Sequence, residues 1–252
     1  MAVEGETAFG LEPLRPPLIS LLGGFSVAID GPPVSLAEGS QRLLAFLALR
    51  GRPVKRQAVA GILWPMAPDV QGAASLRSAL ARLPEGARAL VDASTRELGL
   101  SSGVSVDLWA ARALARDLVA TPRTPIATDP LPGTIRTLSA DLLPDWYDDW
   151  VVVEAEGWRQ LRLHALEALA ERLTTGRRFG CASASAVAAV RAEPLRESPR
   201  AALIRVHIAE GNRSEALREF AGYSELLKDE LGVEPTDRLR SLVDDLSSER
   251  RD

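Results

Sequence analysis

The segment Ala67–Pro84, APDVQGAASLRSALARLP, carries the signals for the start, the packing face and the end of one helix. Pro68 and Asp69 favour a helix start, because Asp is a good N-cap and Pro is tolerated in the first turn. Pro84 cannot continue a helix, so it predicts the end. Four apolar residues at helical spacing predict the face that packs on the rest of the protein: Ala73, Leu76, Leu80 and Leu83.

The face opposite these apolar residues is polar. Its members can all form hydrogen bonds and again follow helical spacing: Gln71, Ser75, Ser78 and Arg82. In the major groove Gln pairs with adenine, and Arg pairs with guanine or contacts phosphate. We therefore interpret the segment as a DNA recognition helix in which these four residues face the bases and Arg77, on their flank, faces the phosphates of a groove wall. Taken alone, the segment also fits an ordinary amphipathic surface helix.

Two shorter helices are predicted before this one, at Ser40–Arg50 and Lys55–Trp64. Gly51 and Pro65 end them, and the connections between the three helices are only a few residues long. Three helices joined by short turns are typical of a helix-turn-helix. Basic residues around these helices are candidate phosphate contacts, since such contacts position a protein on DNA without reading its sequence: Arg42, Arg52, Lys55, Arg56 and Arg96.

Strands predicted on both sides of the three helices complete this domain. Segments rich in β-forming residues precede the helices, at Leu18–Leu22, Phe25–Ile29 and, as an edge strand, Val34–Leu36. Ala89–Ala93 and Glu97–Leu100 predict a hairpin directly after the recognition helix, which is the position of a wing. The sequence thus predicts an α+β winged helix-turn-helix over residues 18–105, although any small α+β domain would show a similar pattern.

The rest of the chain, residues 106–252, is predicted to be all α. A first helix begins at Asp107 as its cap and runs to Val119, and five more follow: Val151–Leu173, Ala182–Ala192, Pro199–Glu210, Arg213–Leu231 and Thr236–Leu246. Gly176 and Gly211 each separate two helices and lie about 35 residues apart, close to the tetratricopeptide period. We therefore expect a mainly α protein with a tetratricopeptide-like second domain, whose groove would bind protein.

One stretch is rich in proline. Thr121–Gly133 contains Pro122, Pro125, Pro130 and Pro132, and it either separates the two domains or forms a loop within the second. Residues 1–17 are acidic and contain proline, which predicts a disordered leader.

Charge is distributed unevenly along the chain, whose formal net charge is −4. Residues 18–106 carry nine Lys and Arg against six Asp and Glu, whereas residues 107–252 carry 20 basic against 25 acidic residues. A basic first domain and an acidic second domain are compatible with a DNA-facing half and a protein-facing half.

Residue types that often mark catalysis or metal binding have simpler interpretations here. Asp145, Asp148 and Asp149 lie beside aromatic residues, which favours a packed helix-entry loop over a metal or acid–base site. His164 and His207 are isolated within helices, and the single cysteine, Cys181, is expected to have no His or basic partner that lowers its pKa. No phosphate-binding glycine loop, signal peptide or membrane span is found. We expect a soluble cytoplasmic protein without cofactor, metal or enzymatic activity.

Several motifs resemble those of one known family when they are taken in order. The first group is similar to the OmpR-type winged helix of the Streptomyces antibiotic regulatory proteins: Leu21–Phe25, Leu63–Pro65, Ser75–Leu83 and Val106–Leu108. The second group resembles the bacterial transcriptional activator domain: Leu142–Val151, Pro194–Ser198, Ala209–Ala216 and Asp229–Pro235. The resemblance covers about Leu18 to Leu246.

This resemblance implies a transcriptional activator. Its winged helix would bind direct repeats in double-stranded promoter DNA, and its helical domain would support a homodimer on DNA and recruit the RNA polymerase holoenzyme. The target would be a secondary-metabolite gene cluster, and the protein would be associated with the nucleoid. The sequence departs from the family at Lys55, where Ser or Thr usually caps the second helix, and in the wing, which lacks a Gly-Tyr pair. The alternative is a helical-repeat interaction module with a vestigial winged helix that does not bind DNA.

Overall fold

The computed structural model describes residues 17–120, 124–130 and 133–248. The predicted leader, residues 1–17, lies outside them except for Pro17. The chain divides into two compact units between Asp107 and Leu108. The helices of the first unit are α1 (Glu38–Arg50), α2 (Arg56–Leu63), α3 (Asp69–Ala81) and α4 (Glu85–Arg88). Its strands are β1 (Leu18–Ser20), β2 (Ser26–Ala28), β3 (Val54–Lys55), β4 (Val91–Ala93), β5 (Glu97–Leu100) and β6 (Ser105–Val106).

The strands form two small sheets. The first joins β1 and β2, which precede α1, to β6, and the second joins β3, which lies between α1 and α2, to β4 and β5. In the first sheet β1 pairs antiparallel with β2, with Ile19 opposite Val27, and parallel with β6. Gly23 and Gly24 have φ angles of 76° and 142°, which explains why two glycines stand at this turn. The predicted edge strand Val34–Leu36 is not formed. Only an isolated bridge joins Ala28 to Pro33, because proline has no N–H with which to continue the ladder.

The second sheet, in the order β3-β5-β4, contains the predicted wing. β4 and β5 form the hairpin, and β3 adds the two residues before α2 to its other edge. The first unit is built around α1, in which every residue from Leu43 to Leu49 is buried. Gly51 ends α1 in the left-handed conformation, with φ of 59°. The short helix α4 was not predicted.

Asp107, predicted as a helix cap, also holds the end of the first strand. Its carboxylate accepts hydrogen bonds from the backbone N–H groups of Leu21, at 2.9 Å, and Leu22, at 3.2 Å. The side chain therefore closes the end of β1, although α5 also begins at this residue.

Helices make up most of the described residues of the second unit. Its helices are α5 (Asp107–Ala120, beginning at the last residue of the first unit), α6 (Thr134–Ser139), α7 (Asp149–Thr175), α8 (Phe179–Ala192), α9 (Glu197–Glu210), α10 (Arg213–Leu231) and α11 (Asp237–Ser248). From α7 to α11 each helix packs on the next, as paired repeats require. Small buried residues on α8, such as Ala182 and Ala186, allow α7 to approach closely. The prediction of a mainly α chain, with a winged helix-turn-helix before a tetratricopeptide-like domain, is confirmed.

Tyr223 anchors the last repeat. It is 1% exposed, and its hydroxyl donates a hydrogen bond to the carbonyl oxygen of Leu195 at 3.0 Å. Burial raises the pKa of this phenol, so the hydroxyl stays protonated and can donate. Leu239 and Val243 of α11 complete the cluster around it.

The described part of the proline-rich stretch, residues 124–130, lies on the second unit. Ile126 donates its N–H to the carbonyl of Arg172 at 3.1 Å, and Arg172 Nε donates to the carbonyl of Thr124 at 3.0 Å. Asp129 accepts a hydrogen bond from Arg178 Nε at 2.9 Å. Of the two alternatives for Thr121–Gly133, a loop within the second domain is therefore the one observed. None of the described helices is long and apolar enough to cross a membrane.

Candidate nucleic-acid interface

Helices α2 and α3 meet through small residues. Gly72 of α3 faces Ala60 of α2 so closely that a Cβ at position 72 would lie 3.7 Å from the Ala60 carbonyl oxygen. This contact brings the two backbones together and fixes the crossing of the helix pair. The five residues 64–68 make the turn between them, which gives the helix-turn-helix its geometry.

The buried face of α3 differs from the predicted one. The row that packs on the unit consists of Gly72, Leu76, Ala79 and Leu83, whereas Ala73 and Leu80 are only half-buried. The prediction of a buried face through Ala73 and Leu80 was wrong. It was based on the hydrophobicity of each side chain, and by that measure Leu80 is a better candidate for burial than Gly72. In the folded protein, Gly72 is buried against Ala60 of α2, and Ala79 is buried where Ser40 of α1 contacts its carbonyl oxygen.

This rotation changes which residues point outward. The row opposite the buried face is Val70, Ala74, Arg77 and Ala81, and all four are exposed. The predicted base-facing residues lie one residue further along, about 100° around the helix, on a flank. Gln71, Ser78 and Arg82 are exposed there, but Ser75 is half-buried and borders a cavity of about 200 Å³ beside Ser40 and Trp64. Arg77 lies in the outermost row rather than on its flank.

The C-terminal end of α3 is held by side chains from other elements. Ser40 of α1 is fully buried and donates a hydrogen bond of 2.7 Å to the carbonyl oxygen of Ala79. Arg88 of α4 donates to the carbonyl oxygens of Ala81, at 2.9 Å, and Leu83, at 3.3 Å. The last carbonyls of a helix have no partner within it, so these contacts cap the helix. Sequence reasoning missed both residues, because neither lies in the helix that it stabilises.

The wing is joined to the start of α2. Arg56 donates its backbone N–H to the carbonyl oxygen of Arg96 and its Nε to that of Ser94, each at 2.9 Å. Ser94 Oγ in turn accepts the N–H of Glu97 at 2.9 Å, which shapes the hairpin turn. The backbone of the hairpin turn, including that of the exposed Arg96, is thereby held at the start of α2.

The predicted phosphate contacts fall into two groups. Lys55, Arg56, Arg52 and Arg96 have exposed or half-exposed side chains, although Arg52 also donates to the carbonyl of the adjacent Pro53 at 3.3 Å. Arg42 is half-buried, and its Nη2 donates to the carbonyl oxygen of Leu63 at 2.8 Å. Arg42 therefore joins α1 to the end of α2, and we do not propose it as a phosphate contact.

Two of the residue groups with alternative chemical interpretations have contacts that favour a structural role. Trp146 and Trp150, which lie beside the Asp145, Asp148 and Asp149 positions in sequence, pack edge to face with ring centroids 6.1 Å apart. His164 Nε2 lies 3.3 Å from Arg196 Nη2. In the described residues no three His, Cys, Asp or Glu side chains come together in a way that could hold a metal ion.

Cys181 has a partner that the sequence did not indicate. Its thiol donates a hydrogen bond of 3.2 Å to Asp129 Oδ1, and this contact raises the pKa of the thiol. The nearby Arg178 opposes that effect but does not reverse it. The same guanidinium and the thiol together hold the pKa of the Asp129 carboxyl below its usual range.

The second unit also has a concave surface. A cavity of about 700 Å³ lies between α7 and α9 and includes His164, Ser198, Ala201 and Arg205. At the start of α7, three exposed apolar side chains stand close in sequence: Tyr147, Val152 and Val153.

Comparisons with known proteins identify the second unit. Residues 106–246 match the family described as the bacterial transcriptional activator domain. A solved structure of Mycobacterium tuberculosis EmbR in complex with a low affinity phosphopeptide has a similar fold, with a TM-score of 0.67 and 24% sequence identity over 93% of this chain. The match covers 65% of the EmbR chain. No curated protein matches the sequence.

The family match covers more than half of the chain and confirms the resemblance seen in the second group of motifs. The chain therefore belongs to the bacterial transcriptional activator domain family.

Proposed function

We propose that the protein is a transcriptional activator that binds direct repeats in promoter DNA through its winged helix and recruits RNA polymerase through its helical unit. The observation that carries this proposal is the outward face of α3. Arg77 lies in its outermost row, and Gln71, Ser78 and Arg82 lie on one flank, all exposed. Side chains of this kind can contact base edges and phosphates.

The rest of the interface supports the same proposal. Lys55, Arg56 and Arg96 lie around the start of α2 and the tip of the wing, which the hydrogen bonds from Arg56 hold together. The first domain is also the basic part of the chain, with a formal charge of +3 over residues 18–106. Positive charge near the recognition helix strengthens binding to phosphate independently of sequence.

The helical unit is the proposed partner surface. Its concave cavity and the exposed side chains of Tyr147, Val152 and Val153 offer area for contacts with polymerase holoenzyme or with a second copy on the adjacent repeat. Exposed apolar groups of this kind are typical of interaction sites. A secondary-metabolite gene cluster is the target that the family resemblance suggests.

Binding of the full chain to fluorescent duplexes tests the proposal. One duplex carries direct repeats from the region upstream of the protein's own gene, and the other carries the same bases scrambled. We expect tighter binding to the repeats and a linear fall of log K with log salt concentration, with a slope of about −0.9 for each phosphate contacted. Equal, salt-independent affinities for the two duplexes would instead support the helical-repeat interaction module with a vestigial winged helix.

Activation requires a second measurement. Transcription in vitro with RNA polymerase holoenzyme should rise when the full chain is added to a template that carries the repeats. Tyr147→Ala and Val153→Ala change exposed side chains, so they should leave DNA affinity intact and reduce the stimulation. Stimulation that is equal for wild type and both variants would exclude this surface as the polymerase contact.

A further inference from the structure

Val70 is an exposed apolar residue on a helix face that otherwise offers polar groups and small side chains. It lies in the first turn of α3 and is 82% exposed. Ala74, Arg77 and Ala81 continue the same row at intervals of about one turn. Because recognition helices read bases mainly with their N-terminal residues, Val70 and Ala74 are placed at the reading end.

Val70 does not pack into the protein, although a groove lies next to it. The groove between α2 and α3, about 430 Å³ in volume, is lined by small residues such as Ala60, Gly61 and Ala73. Val70 and Arg77 form part of its edge. The valine side chain therefore keeps most of its surface in water, and a partner that covers it would gain hydrophobic free energy.

The chemistry of the major groove offers one apolar partner. Each base pair presents hydrogen-bonding groups there, and thymine alone adds a methyl group, at C5. A valine side chain cannot hydrogen-bond with any base edge, but it can pack against that methyl group. Arg77, in the same row, would lie close enough to contact the neighbouring phosphate or guanine.

We infer that Val70, with Ala74 one turn later, selects thymine in each half-site by contact with its C5-methyl group. This inference rests on the proposed function, because it requires that α3 enter the major groove. It adds a specific base to the recognition code, and it assigns that base to an apolar side chain outside the polar set predicted from sequence.

Deoxyuridine provides the test, because it differs from thymidine only in lacking the methyl group. Duplexes that the full chain selects from a random pool define the half-site. Each thymine of the half-site is then replaced singly by deoxyuridine, and affinity is measured for wild type and Val70→Ala. The wild-type protein should lose about fourfold in affinity at one or two positions, which is the effect of one methyl group no longer leaving water.

For one of the thymines at which wild type loses affinity, Val70→Ala should bind the thymine duplex and the deoxyuridine duplex with equal affinity. The substitution is at an exposed helical site where alanine is well tolerated, so folding should be preserved. Met66→Ala is the matched control: Met66 is 95% exposed and precedes α3, and its loss should leave the fourfold difference in place.

Three results would overturn the inference. Wild type could bind every deoxyuridine duplex as tightly as the duplex with thymine. The affinity difference between the two duplexes could persist in Val70→Ala, or it could disappear in Met66→Ala. In each case Val70 does not read a methyl group, and a protein partner becomes the better occupant of this apolar surface. Failure to select any DNA sequence would instead reject the proposed function.

Discussion

Ser40 and Ala79 are joined by a hydrogen bond of 2.7 Å, from the Ser40 hydroxyl to the Ala79 carbonyl oxygen, in the buried contact between α1 and α3. Ala79 is in the last turn of α3, where carbonyls lack partners within the helix. The bond thus fixes the recognition helix to the most buried helix of its unit.

The first prediction concerns this bond. Ser40→Ala should lower the free energy of unfolding by about 1–3 kcal/mol, because it leaves a buried carbonyl without a donor. Chemical denaturation monitored by circular dichroism measures the loss. Ser78→Ala, an exposed serine on the same helix, should change stability by no more than about 0.5 kcal/mol. A similar effect of the two substitutions would show that the Ser40 bond contributes little.

The second prediction concerns Arg77 on DNA. Arg77 lies about two turns beyond Val70 in the outward row, away from the N-terminal residues that read bases, so its long side chain is expected to reach a phosphate. Arg77→Ala should therefore weaken binding to specific and scrambled duplexes alike and reduce the magnitude of the salt slope by about one, which is the signature of a lost phosphate contact. Gln71→Ala and Ser78→Ala should instead reduce the preference for the specific duplex. Titration of each variant at several salt concentrations separates the two patterns. Arg191→Ala, an exposed arginine on α8, is the control and should leave both curves unchanged.

The longer helices and their order could be predicted from the sequence, because signals such as Pro68, Pro84 and the spacing of leucines act locally, whereas the short helices α4 and α6 were missed. The orientation of α3 could not. It depends on Gly72 and Ala79, whose burial follows from contacts with Ala60 and Ser40 on other helices. Hydrophobic periodicity does not weigh such small residues, so the predicted outward stripe was displaced by one residue.

Polar contacts between residues far apart in the sequence could not be predicted either. Arg88 caps α3 from the following helix, and Asp129 meets Cys181 across 52 residues of sequence. Both pairs depend on where the chain turns back, and no local pattern reports that. The family resemblance predicted the two domains of the chain, but it could not predict these contacts.

The third prediction compares two tryptophans at the start of α7. Trp150 is 9% exposed, whereas Trp146 is half-buried and packs on it edge to face. Trp150→Ala should cost about 3–5 kcal/mol of stability, as truncation of a buried tryptophan does. Trp146→Ala should cost less, since it loses the aromatic pair, worth about 0.5–1.5 kcal/mol, and only part of its buried surface. Thermal melts of equal midpoint for both variants would contradict this order.

The fourth prediction concerns the pH dependence of Cys181. Its hydrogen bond to Asp129 keeps the thiol protonated and raises its pKa, so the thiolate that reacts with iodoacetamide forms only at higher pH. Asp129→Asn removes the negative charge and leaves Arg178 nearby, which favours the thiolate. The pH profile of alkylation should therefore move to lower pH in the variant.

Cys181 is the only cysteine, so the alkylation signal is unambiguous. In urea, where the contact is lost, wild type and Asp129→Asn should react at the same rate. A profile that does not change between the folded proteins would mean that the Asp129 contact does not control the thiol.

The last prediction concerns Gly176, which follows the last residue of α7 and packs against Ile126 of the proline-rich stretch. Its φ of −78° is available to any residue, so the backbone does not require glycine. The requirement comes from packing, because a Cβ at this position would overlap the carbonyl group of Ile126. Gly176→Ala should therefore displace residues 124–130 from the α7–α8 turn and break the contact between Asp129 and Cys181.

Two readouts follow from that displacement. Unfolding free energy should fall by about 1–3 kcal/mol, the usual cost of overpacking, and Cys181 alkylation should move to lower pH, as it does in Asp129→Asn. Gly180→Ala is the matched control, because nothing lies within 4 Å of a Cβ there and the first turn of α8 tolerates alanine. It should leave the alkylation profile unchanged and not lower stability, since alanine restricts the unfolded chain more than glycine does. If Gly176→Ala lowered stability but left the thiol profile of wild type, the strain would be absorbed within α7, and the proline-rich segment would stay in place.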